Sequence, residues 1–136
     1  RMKKESSLSH YNSMNVLSMH ALIGAYSDEG SQWVDELREV LTENVTYACR
    51  IIRKNLPGVS VQQPEGTYML LLDCEEYCRR SGRTLDEVKK AGYEVGVVWQ
   101  DGRPFRGPCH IRMNLALPLS RLQEAFRRLD EYVFNA

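Results

Sequence analysis

The sequence lacks any apolar run near the roughly 20 residues that a membrane-spanning helix needs. Its longest, Tyr68 to Leu72, has the length of a strand. The opening residues, Arg1-Met2-Lys3-Lys4-Glu5-Ser6-Ser7, carry none of the apolar stretch of a signal peptide. Neither charge sign is in excess: 18 Lys and Arg balance 18 Asp and Glu. A chain without net charge offers no electrostatic case for nucleic acid or an acidic membrane as partner. Cysteine is scarce and scattered. Cys49 falls in a helical pattern and Cys109 in a strand pattern, so free thiols in a reducing, cytoplasmic compartment are expected rather than staples. Cys74 and Cys78 have no second pair, and His10, His20 and His110 are spread apart, so no metal site is expected. No repeat, low-complexity tract or glycine-rich phosphate cradle is present.

What remains is a globular composition, 43% apolar and 26% charged, over the 136 residues of one ordinary domain. Ser13 to Tyr26 reads as a helix, with Met14, Leu17, Ala21, Leu22 and Ala25 at three- and four-residue steps. Val16, Met19 and Ile23 are apolar too, and a helix apolar all round must be covered by another body. A long helix follows from about Ser31 to Leu56, with Trp33, Leu37, Val40, Leu41, Ala48, Ile51 and Ile52 as its stripe; Pro57-Gly58 ends it. Asn44-Val45-Thr46 matches a glycosylation acceptor but lies inside that helix, and is read as incidental.

The period then changes. Val59 and Val61 form one short strand, and Tyr68 to Asp73, apolar on both faces and so central, a second. Glu75 to Arg80 gives a helical turn. Thr84 caps a short helix that Gly92 ends. Val95-Gly96-Val97-Val98 reads as a third strand, Gln100 to Pro108 as a loop, and His110 to Ala116 as a fourth strand. Pro118 precedes a last helix with the stripe Leu119, Leu122, Phe126, Leu129 and Val133. This order predicts an α+β, two-layer architecture: a small antiparallel or mixed sheet of about four strands covered by helices.

In Ile111-Arg112-Met113-Asn114-Leu115, strand alternation puts Arg112 and Asn114 on the face opposite Ile111, Met113 and Leu115. A guanidinium on a rigid strand suits bidentate capture of a carboxylate, although a solvated strand arginine has the same pattern.

Pro64-Glu65-Gly66-Thr67-Tyr68, the apolar strand ending in Asp73, and Ile111-Arg112-Met113-Asn114-Leu115-Ala116-Leu117-Pro118 together resemble the C-terminal region of fold-type I pyridoxal-phosphate enzymes. Asn15 to Tyr26, Gly30-x-x-Trp33-Val34-Asp35-Glu36-Leu37 and Asn44 resemble the branch of MalY/PatB-type cystathionine β-lyases. The resemblance covers nearly the whole chain. It implies that residues 1–26 are a connecting segment with an apolar helix, and that 27–136 are the small domain of an aminotransferase or C–S β-lyase. It gives Arg112 the α-carboxylate of an amino-acid substrate, and Asn114 a possible place beside it. The implied partners are a large cofactor-binding domain of the same chain and a second copy in a homodimer. The pyridoxal phosphate would sit in that large domain, since none of Lys3, Lys4, Lys54, Lys89 and Lys90 has the family's serine three residues before it. No catalytic or cofactor-binding residue is therefore expected here, and the chain alone is expected to be inactive. Tyr11 and Asn12 before the first helix, and Phe105-Arg106-Gly107 before the arginine strand, are weaker candidates for the mouth of the site. A stand-alone regulatory or protein-interaction domain is the alternative.

Overall fold

A computed structural model of the chain describes residues 15–135. Met14, Tyr11, Asn12 and the first two lysines lie outside the described residues. The chain divides into two units, 1–39 and 40–136, with the division inside the long helix.

In the first unit, helix α1 spans Val16–Ala25. Asn15 caps it, its Oδ1 accepting the Ser18 N–H at 2.8 Å. No residue of α1 is buried; Leu17 is 82% exposed and Ile23 62%. Ser27 breaks the helix and caps the next, its hydroxyl accepting the Gly30 N–H. Helix α2 runs Asp28–Asn55, three residues earlier at its start than the apolar stripe implies. Asp28 and Glu29 in its first turn, and Arg53 and Lys54 in its last, each face the favourable end of the helix dipole.

The second unit is built on a sheet of order β1-β2-β4-β3, antiparallel throughout. Its strands are β1, Ser60–Val61; β2, Met69–Asp73; β3, Gln100–Asp101; and β4, His110–Asn114. Leu70, Leu72, Ile111 and Met113 point to one face, and all four are buried. They meet Ala48, Cys49 and Ile52 of α2 in a single core cluster, which also takes in Leu122, Phe126 and Leu129 of helix α5, Leu119–Leu129. A π-helical turn, Asp130–Phe134, continues α5 and buries Val133 and Phe134. Helices α3, Glu75–Ser81, and α4, Leu85–Glu94, join the strands. Thr84 and Glu87 make a reciprocal capping box at the start of α4, so the cap read from Thr84 holds.

Four expectations change. Strand β2 is central, but it is buried on one face only, with Leu71 turned outward and 38% exposed. Val95 to Val98 is not a strand. Gly96 turns left-handed at φ 78°, and the Val97 N–H returns to the Gly92 carbonyl at 2.8 Å to close the end of α4. The edge of β4 is instead taken by Gln100–Asp101, from the stretch read as loop. Gly92, read as a helix stop, lies inside α4. A Cβ there would sit 2.4 Å from the Trp99 indole, so its smallness serves packing.

Candidate functional site at the outward face of the sheet

Alternation along β4 sends Arg112 and Asn114 to the face opposite the core, as the strand period requires. Pairing then decides their neighbours. Arg112 lies opposite Leu71 of β2 on one side and Gln100 of β3 on the other. Its Nη1 donates to Gln100 Oε1 at 2.6 Å. The guanidinium carbon stands 4.4 Å from the centre of the Phe105 ring, within cation–π range. Among the described residues no carboxylate forms an ion pair with Arg112.

Asn114 pairs with Met69 across the ladder and is exposed. Its Oδ1 accepts the Ala116 N–H at 2.8 Å, which turns the chain as the strand ends. Asp73, at the end of β2, similarly accepts the Glu75 N–H at 2.9 Å and starts α3. Beyond Leu71 the outward face continues into a shallow hollow lined by Val61, Pro64, Met69, Leu71, Asp73 and His110.

Phe105 and Arg112 are thus brought together, while Arg106 is left-handed at φ 63° and exposed. Gln100 escaped the sequence reading, because its contact with Arg112 depends on a register that the sequence does not reveal. Behind the loop, Arg103 forks onto Asp101 and Asp86, and Lys89 reaches the same two carboxylates at 2.6 and 2.8 Å. Hydrogen bonds from Arg103 and then Lys89 hold the Asp101 carboxyl well below its ordinary range.

That ion cluster also bears on cofactor chemistry. Hydrogen bonds from Lys89 to Asp101 and Asp86 push its ammonium pKa upward, away from the neutral amine that attacks an aldehyde. Lys90 lies 3.7 Å from Glu94, and Lys54 closes α2. All three described lysines stand on helices, not on the strand face that carries Arg112. The residues described here do not fit a covalently anchored pyridoxal phosphate. The four cysteines are free thiols; Cys49 and Cys74 are buried, and burial raises the pKa of both.

The same fold is found in known proteins. The family model for aminotransferase class I and II matches residues 5–129. The chain belongs to this family. It is 28% identical over 119 residues to the cystathionine beta-lyase PatB of Bacillus subtilis, covering 85% of this chain and 30% of PatB. It is 30% identical over 140 residues to an aspartate aminotransferase of the same organism, covering 97% of this chain and 34% of that enzyme. The crystal structure of a PLP-bound C–S lyase from Staphylococcus hominis superposes with a TM-score of 0.81 at 23% identity, over 97% of this chain and 35% of that one. The α+β sheet with its helices is therefore an aminotransferase-family fold, and the chain spans about a third of the length of the relatives it matches. Among the described residues, no helix is long and apolar enough to cross a membrane.

Proposed function

We propose that this chain is the small, C-terminal domain of a pyridoxal-phosphate-dependent aminotransferase or C–S β-lyase, and that Arg112 binds the α-carboxylate of its amino-acid substrate. The observation that carries this reading is the setting of Arg112. A central strand presents a half-buried guanidinium on the face away from the core, held by a neutral amide and an aromatic ring rather than by a carboxylate. Arg103, Arg127 and Arg128 close onto acids, whereas the charge of Arg112 is left unneutralised among the described residues. A planar cation with donors to spare is suited to a bidentate carboxylate.

Pyridoxal phosphate, when bound, supplies the electron sink for chemistry at the substrate's α-carbon. This chain contributes no step of that chemistry. It binds and orients one end of the substrate, and alone it is inactive. The large domain, with the anchoring lysine, belongs to the rest of the parent chain. Residues 1–26 connect the two domains, and 27–136 form the small one. The exposed apolar helix α1 is covered by that large domain or by the second subunit, which accounts for the exposure of Leu17 and Ile23. The parent enzyme is read as a cytoplasmic homodimer. Asn114 borders the carboxylate site.

The test is Arg112→Lys in the full-length enzyme. Lysine keeps the charge and loses the fork. Losing a charge-assisted contact of about 1.5–3 kcal/mol lowers kcat/KM roughly ten- to a hundredfold, with cofactor absorbance and Tm nearly intact. Silent kinetics with an altered Tm would overturn the reading and leave Arg112 a structural arginine of the strand face.

A further inference from the structure

Phe105 reaches Arg112 because the loop that carries it is wrapped around His110. The Gly102 N–H donates to the His110 carbonyl at 2.8 Å, Gly107 to Gly102 at 3.2 Å, and His110 to Gly107 at 3.2 Å. A Cβ at Gly102 would come within 2.4 Å of the His110 carbonyl oxygen, and one at Gly107 within 2.5 Å of the His110 Cβ. Neither position can carry a side chain at this closeness. Arg103–Phe105 forms a 3-10 turn between them, and Arg106 closes it at φ 63°. That conformation is disfavoured for a residue that carries a Cβ. The base of the loop is fixed by Arg103 on Asp101 and Asp86.

The product of this strained, anchored turn is a ring that is 49% exposed yet lies against a guanidinium. Such a loop does not bury the ring, so burial does not explain its construction. A flexible arginine loses rotamer freedom when it binds a carboxylate. A ring against one side of the guanidinium, together with the Gln100 amide on Nη1, removes part of that loss beforehand. Gln100 accepts a hydrogen bond without neutralising the charge, so the attraction for an anion is kept.

The geometry points to Phe105 as a positioning residue, which presets Arg112 for a substrate carboxylate with Gln100 as its neutral second hold. This rests on the reading of Arg112 as the carboxylate binder. Four variants of the full-length enzyme separate the two: Phe105→Leu, Phe105→Tyr, Arg112→Lys and the double variant Phe105→Leu/Arg112→Lys. Phe105→Leu should raise KM about three- to tenfold, the range of a partly desolvated cation–π contact, with kcat, cofactor absorbance and Tm nearly unchanged. Equilibrium titration with propionate, a carboxylate without an amino group, should weaken by the same factor. Phe105→Tyr should restore both values. In the Arg112→Lys background, Phe105→Leu should add little, because the planar cation it positions is gone. If Arg112→Lys raises KM while Phe105→Leu is silent, the positioning role fails and the reading of Arg112 stands. If Phe105→Leu lowers Tm and kcat together and Phe105→Tyr does not rescue, the ring is merely structural. If Arg112→Lys is itself silent, both fall.

Discussion

The Asn44 side chain on α2 donates from one nitrogen to the carbonyls of both Leu115 and Leu117, each at 2.9 Å, from a position with no exposed surface. Leu115 lies three residues beyond Arg112, just past the end of β4. This amide fixes where the arginine strand stops and leaves the sheet. It also disposes of the glycosylation match, since a fully buried amide cannot accept a glycan.

Asn44→Ala should destabilise the chain by about 1–3 kcal/mol, because it removes a buried donor from the Leu115 and Leu117 carbonyls, of which Leu115 keeps the Leu117 N–H at 2.9 Å. Asn44→Asp should cost at least as much at neutral pH, since a carboxylate offers those carbonyls no proton. Urea unfolding of the three proteins checks this. An Asn44→Ala protein within about 0.5 kcal/mol of the parent would mean that water replaces the amide at no loss.

Gly92→Ala should also destabilise, although alanine is the better helix former by about 1 kcal/mol. The added methyl meets the Trp99 ring, which is 3% exposed and donates from Nε1 to the Lys89 carbonyl at 3.1 Å. Overpacking of this kind costs about 1–3 kcal/mol. The Trp99 emission should shift to the red as the ring is displaced. A more stable Gly92→Ala protein with unchanged emission would show that the indole relaxes freely.

Stability should fall at acid pH through Glu124. Hydrogen bonds from Arg127 and then Arg128 bring its carboxyl down to about 2 from an ordinary 4.5. A depressed folded-state value means stability that is present above the unfolded value and lost as pH falls through the folded one. The loss should therefore run from about pH 4.5 to about pH 2, with Asp101 and Asp86 adding to it in the same direction. Urea midpoints measured between pH 2 and 6 should be less steep in Glu124→Gln, and molar salt should shrink the difference because these groups are exposed. Parallel curves for the two proteins would remove Glu124 from the account.

The elements set by local chemistry could be read from the sequence. Pro57-Gly58 stops α2, Thr84 caps α4 through Glu87, and the stripe Leu122, Phe126, Leu129 and Val133 faces the core, because periodicity and capping act over three or four residues. The outward placement of Arg112 was equally legible, since alternation along a strand needs no partner. Gly92 and Val95–Val98 were misread for one shared reason. A glycine that ends a helix and one that admits an indole look alike, and so do a β-branched strand and a β-branched connector.

Tertiary structure alone decided which strand edge β4 offered and what filled it. That choice set Gln100 beside Arg112, brought Phe105 onto the guanidinium, and buried Asn44 against a strand end more than 70 positions away. The sequence determined which residues could serve a carboxylate, through residue type and period. Their assembly waited on register and loop closure, which are set by packing between segments far apart in the chain and leave no local mark on it.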